Sequence, residues 1–144
     1  MAIRCPRFLA ALAAAPFLIT IAGCGDAGRE LIDVQGRVTH QGQPVVHAVL
    51  GFSPVDVGIG VSQRPAVAIT DNDGVYRLKA YRGEFGMPPG TYRVSILCYE
   101  GSMAEPETVR YLVPKKYSDT TTSGLTAEIP PQSERPLEID FNLP

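Results

Sequence analysis

The stretch Thr70-Asp71-Asn72-Asp73-Gly74-Val75-Tyr76-Arg77-Leu78 decides how this chain is read. Asp and Asn hydrogen-bond their own backbone in turns, and Gly accepts the positive φ that closes one, so residues 71–74 read as a reversal feeding a strand. Tyr76 and Leu78 then alternate with Arg77 and Lys79, the period of a strand with one buried face. Residues 66–70, running into the reversal, read as the first arm of a hairpin.

The same plan extends in both directions. Residues 31–39 put Ile32, Val34 and Val38 on one face, with Gly36 between them. A mid-strand glycine signals a bulge or the close approach of another backbone. Residues 40–44 are a turn, and the strand at 46–52 faces Ala48, Leu50 and Phe52 one way. Residues 91–99 form the central strand, with Tyr92, Val94, Ile96 and Cys98 on its buried side. Residues 101–107 are an acidic, Pro-containing connection, and 108–113 an edge strand stopped by Pro114, which cannot donate to a ladder. Leu125, Ala127 and Ile129 alternate, as do Leu137, Ile139, Phe141 and Leu143 at the end of the chain. The segments at 53–65 and 81–90 lack strand periodicity and read as loops. About seven strands at intervals of roughly 8 to 12 residues predict a small antiparallel all-β domain, a sandwich or barrel. Tyr76, Leu78, Tyr92, Val94, Ile96, Ile139 and Phe141 are its predicted shared core.

The first 23 residues read as an export leader. Arg4 and Arg7 precede an apolar run from Phe8 to Ala22, which is shorter than the roughly 20 apolar residues a spanning helix needs. The run closes on Ile21-Ala22-Gly23-Cys24, which resembles the lipobox of bacterial lipoproteins. That resemblance implies cleavage before Cys24 and attachment of lipid, palmitate among the acyl chains, to its thiol. An ordinary secreted protein cleaved nearby is the alternative. Residues 24–30 have the small, polar composition of a short flexible tether, and 31–144 make up the folded domain. Two or more acyl chains hold a protein stably at a surface, so the expected partner is the membrane, reached through a lipid on Cys24, in the cell envelope.

Charge narrows the other partners. Removing Arg4 and Arg7 takes the basic count from 13 to 11 against 15 acidic side chains, a net charge of −4. No basic stripe exists and the few Lys and Arg are scattered, so neither nucleic acid nor anionic lipid headgroups are expected as partners. Beyond Cys5 in the leader and the proposed lipid site Cys24, only Cys98 is left, so no intramolecular disulfide can form. Cys98 reads as a buried, inert core thiol, with a reactive or dimer-forming thiol as the alternative.

The ordered motifs Gly36-Arg37-Val38-Thr39, Gly42-Gln43-Pro44-Val45, Asp73-Gly74-Val75-Tyr76-Arg77-Leu78 and Pro89-Gly90-Thr91-Tyr92-Arg93-Val94 resemble those of carboxypeptidase regulatory-like domains. Val113-Pro114-Lys115-Lys116-Tyr117 and Thr122-Ser123-Gly124-Leu125-Thr126 look like the version found in small bacterial lipoproteins. The resemblance covers nearly all of residues 31–144. It implies a transthyretin-like (prealbumin-like) Greek-key β-sandwich that works as an accessory module, and it carries over no catalytic residue. Two enzyme families with a related sandwich do not fit. Hydroxyisourate hydrolases end in Tyr-Arg-Gly-Ser, whereas Tyr81-Arg82-Gly83-Glu84 lies in mid-chain. Intradiol dioxygenases hold iron with two Tyr and two closely spaced His, a pattern His40 and His47 do not make.

The remaining constellations each have a bland and a functional reading. Asp71 and Asp73 read first as turn residues and second as part of a weak calcium site, since the later bidentate Glu and flanking helices of an EF-hand are missing. His40 and His47 lack the third ligand and cysteine pair of a closed zinc site. Thr120-Thr121-Thr122-Ser123 reads as a polar loop, and Tyr117 as a plug at the end of the sandwich, with glycan or partner contact by Lys115-Lys116-Tyr117 as the alternative. The expectation is therefore a non-enzymatic, lipid-anchored envelope module without metal or cofactor. It would bind an envelope protein through loops at one end of the sandwich, at 53–65, 82–89 and 115–123. A calcium or glycan binder using the same loops is the alternative.

Overall fold

The computed structural model describes residues 31–56, 65–79, 83–133 and 136–144. The leader, Cys24 and the tether at 24–30 lie outside the described residues, as do 57–64 of the first loop and Tyr81 and Arg82 of the second. The described chain is all-β apart from one 3₁₀ turn at Lys115–Ser118. Its strands are β1 (Val34–His40), β2 (Gln43–Pro44), β3 (Val49–Pro54), β4 (Ala66–Ile69), β5 (Val75–Arg77), β6 (Gly90–Leu97), β7 (Tyr99–Ser102), β8 (Glu105–Tyr111), β9 (Leu125–Ile129), β10 (Leu137–Glu138) and β11 (Phe141–Leu143).

Two sheets enclose one core, an arrangement consistent with a β-sandwich. In the first, β1 is central; β5 and β2 pair with one edge, β10 and β11 with the other. The second is antiparallel in the order β4-β3-β6-β9. Leu50, Phe52, Val94 and Ile96 of the second sheet and Val34, Val38 and Tyr76 of the first are essentially inaccessible to solvent. The Phe52 ring bridges the layers, 6.2 Å from Tyr76 and 6.1 Å from Phe141. Each such side chain, fully buried, contributes about 1.5–3 kcal/mol by leaving water. The predicted core is present as one cluster, with Ile139 half-buried at its margin.

Three expectations are corrected. The reversal at 71–74 does not close a regular hairpin. Its arms meet antiparallel only where the Asp71 N–H donates to the Val75 carbonyl and at the single bridge between Val67 and Lys79. Along its length β4 pairs with β3, and β5 pairs with β1, so the turn carries the chain from one sheet to the other. Local bonds make this possible. Asp71 Oδ1 accepts the N–H of Asp73 and of Val75 at 2.9 Å each, so the turn is closed by its own side chain. Gly74 supplies the positive φ of 73°. The end of β4 stays tied to the β3 side: Thr70 Oγ1 accepts the Ala48 N–H at 2.8 Å and donates to the Val45 carbonyl at 2.6 Å.

The domain is also not wholly antiparallel, since β10 and β11 run parallel to β1. This ladder is interrupted at one place by side chains. Ile139 N–H donates to the Gln35 carbonyl, and a regular parallel ladder would return the Arg37 N–H to the Ile139 carbonyl. Instead the Tyr76 hydroxyl donates to that carbonyl at 2.6 Å, and the Arg37 N–H goes to Asp140 Oδ1 at 2.7 Å. A Cβ on Gly36 would overlap the Ile139 carbonyl, so the mid-strand glycine does mark a close backbone approach. Burial, and secondarily the Asp140 carboxylate, raises the pKa of the Tyr76 phenol and keeps it a donor.

Finally, residues 101–107 are not a plain connection. They complete a two-stranded ribbon in which β7 pairs with β8 around Met103-Ala104. Thr108 Oγ1 accepts the Ser102 N–H at 3.0 Å and donates to the Glu105 carbonyl at 2.8 Å, bracing its turn.

Candidate functional site

The strand directions give the body two poles. Residues 31–33, the end of β3, the start of β6 and the end of β9 meet at an N-terminal pole, because Pro54 pairs with Tyr92 and Gly90 with Ile129. The turns at 41–42 and 71–74, the end of β6 and the ribbon β7–β8 lie at the opposite, distal pole. The three loops expected at one end are thus separated. Residues 53–56 and 83–89 belong to the N-terminal pole, while 115–123 run beside the second half of β6, where the Ser123 hydroxyl donates to the Val94 carbonyl.

At the N-terminal pole Met87 is buried, and Ile32 and Met87 exchange two backbone hydrogen bonds of 2.9 Å each. The segment predicted as a featureless loop therefore contains a core anchor. Beside it the Arg77 guanidinium grips the Asp33 carboxylate with two bonds of 2.9 and 2.7 Å, which hold that carboxyl below its usual range. The same guanidinium lies 4.0 Å from the centroid of the exposed Phe85 ring, with Lys79 Nζ at 5.1 Å.

At the distal pole, most residues with reactive side chains are committed to folding. Asp71 is occupied as described, and Asp119 Oδ1 accepts from both the N–H and the hydroxyl of Thr121, which lowers its pKa. Ser123 is buried. Cys98 is buried at 4 % exposure with Sγ 3.4 Å from the Val46 carbonyl. Desolvation, then the Glu100 carboxylate, pushes its thiol pKa up, so little nucleophilic thiolate is present. Tyr117 is a core side chain at 4 % exposure, in agreement with its reading as a plug. His47 is exposed with a positive φ of 56°. His40 Nδ1 is buried and makes no hydrogen bond among the described residues. Among those residues no three of His, Cys, Asp and Glu come together as a metal-binding group, and no helix is long and apolar enough to cross a membrane.

Two features were missed from the sequence. One is the pairing in the ribbon β7–β8: its second arm was read as an edge strand at 108–113, but its first arm and two-residue turn were read as a connection, although Tyr99 and the Val109–Tyr111 pattern flank that turn. The other lies on β4, where Ala66 and Ala68 face the core while the larger Val67 and Ile69 face solvent at 45 % and 62 % exposure. The Ala-Val-Ala-Ile alternation was legible, but which of its faces points inward was not.

No family model, no curated protein and no solved structure matches the chain, so the likeness to carboxypeptidase regulatory-like domains stands on the sequence motifs alone.

Proposed function

We propose that this chain is an exported lipoprotein, held at a membrane surface by acylation of Cys24, whose body is a non-catalytic module for protein interaction or scaffolding in the cell envelope. The observation that carries the reading is Ile21-Ala22-Gly23-Cys24 closing an apolar run that follows Arg4 and Arg7. A thiol can be alkylated, small residues before it admit a peptidase, and a polar stretch follows. Support for an accessory role comes from the commitment of Asp71, Asp119, Ser123 and Cys98 to structural bonds or burial. On this reading the two sheets form a transthyretin-like Greek-key sandwich, as the motif order implies.

The anchor is tested by expressing the full chain and its Cys24→Ser variant in a bacterial host with labelled palmitate. Label on the wild type, its absence from the variant, and release of the variant from the membrane fraction are expected. Equal membrane retention of both would overturn the anchor. Crosslinking of the lipidated protein in its native envelope then tests the interaction, with one dominant trapped protein as the expected result.

A further inference from the structure

Along β4 the usual division of apolar residues is inverted: the small side chains Ala66 and Ala68 are buried, and the large ones are outside. The outward residues continue into neighbouring strands. Ile69 pairs with Val49, itself 39 % exposed, and Val49 pairs with Leu97. In the other direction Val67 is bridged to Lys79, and Lys79 to Phe85. Bridged residues project to the same side, about 4.5–5.5 Å apart, so Phe85, Lys79, Val67, Ile69 and Val49 form one continuous strip. It holds four of the large exposed apolar side chains among the described residues, and Arg77 and Lys79 flank it at the N-terminal pole. A contiguous apolar surface rimmed by polar groups marks an interaction site.

We infer that this strip rests on the bilayer that carries the Cys24 lipid, with Phe85, Val67 and Ile69 entering the interface and Lys79 reaching a headgroup phosphate, while Arg77 stays paired with Asp33 behind the Phe85 ring. The inference rests on the proposed lipid anchor. Seven residue steps separate Cys24 from Leu31, and a chain spans at most about 3.3–3.6 Å per residue, so Leu31 stays within roughly 25 Å of the lipidated thiol whatever path the chain takes. The strip begins beside Ile32 and Met87, and the four residues of β4 extend it by only about 13 Å. The anchor therefore keeps the strip, the longest run of exposed apolar side chains among the described residues, within reach of the membrane. Amphipathic side chains suit that place, with aromatic rings at headgroup level and cationic heads reaching outward from apolar stems. No strong basic cluster is needed, because the anchor makes the encounter intramolecular and raises the effective concentration of the strip at the surface.

The chain contains no Trp, so a single introduced Trp reports its own surroundings. The mature lipidated protein is prepared as Phe85→Trp, Ile69→Trp and, on the distal ribbon, Met103→Trp. Each is reconstituted into vesicles of phosphatidylcholine with a minor share of phosphatidylglycerol, with and without brominated acyl chains. Blue-shifted emission that is lost in brominated vesicles is expected for Phe85→Trp and Ile69→Trp, and unquenched emission for Met103→Trp. If the protein floats with the vesicles while neither strip Trp is quenched, the strip faces elsewhere and the anchor reading survives. Capture of an envelope protein by a crosslinker at Ile69, with no quenching, would assign the strip to that protein and overturn the membrane contact. If flotation itself does not depend on Cys24, the anchor and the inference fall together. Ile69 is exposed, so its variant keeps the test valid even where the Phe85 substitution disturbs folding.

Discussion

The two poles are closed by different means. At the N-terminal pole the chain is pinned by main-chain bridges around an apolar plug, with Ile32 and Met87 exchanging backbone bonds and both side chains buried. At the distal pole, backbone bonds such as Thr70 N–H to the Ala48 carbonyl and Asp71 N–H to the Val75 carbonyl are reinforced by buried or turn-closing side chains: Thr70 links Ala48 to Val45, Asp71 braces its own turn, and Ser123 caps the Val94 carbonyl. A backbone bridge tolerates many side chains but demands a filled core behind it. A side-chain hub tolerates little at the hub itself and more around it. The lesson is that stability at one pole depends on volume, and at the other on a few polar atoms.

The largest effect that would break this contrast is at Met87. Met87→Ala should cost about 2–5 kcal/mol, the range for truncating a buried long apolar side chain, read from the urea midpoint. A cost within a few tenths of zero would mean that the plug is dispensable. Thr70→Ala should follow, at about 1–3 kcal/mol, because the Ala48 N–H and Val45 carbonyl lose their buried partner. A Thr70→Ala cost within a few tenths of zero would mean that the distal pole does not depend on this polar hub.

A smaller effect sharpens the N-terminal side. Arg77 holds the folded Asp33 carboxyl below its unfolded value, so the pair adds stability above the ordinary carboxylate pKa, and this is lost as pH falls through the lowered folded value. Asp33→Asn should therefore lower the melting temperature slightly at neutral pH, and the gap to wild type should close in acid. The pair is solvent-exposed, so the gap should also shrink with added salt. A gap that widens in acid would disprove the sign. The smallest effect belongs to the ribbon β7–β8: Met103→Ser at its exposed tip should stay within about 0.5 kcal/mol of wild type, because no core contact is lost.

Much of the residue-level pattern was legible. Tyr76 and Leu78, the Tyr92 to Cys98 face and the Ala48 to Phe52 face were all assigned inward from alternation, and they are buried. Gly36 was read as a close approach, and Ile139 is what approaches it. Partners were less legible. The reversal at 71–74 looked like a hairpin because a turn motif specifies its own bonds and not the sheets that receive its arms. Met87 was passed over because a single core anchor between Gly86 and Pro88 has no period to detect. The surface strip escaped for a related reason: both faces of Ala66–Ile69 are apolar, so alternation could not say which one would be covered.

The sequence by itself determined the all-β character, most of the buried faces, the turn chemistry at Asp71 and Gly74, and the candidate acylation site at Cys24, because these depend on periods and bonds a few residues long. Only the tertiary structure decided that β10 and β11 run parallel to β1, that the loops divide between two poles, and that β4 turns its larger side chains to solvent. Those outcomes depend on which strands meet across the core. A local pattern specifies a face, and the neighbour that covers it comes from contacts far apart in the chain.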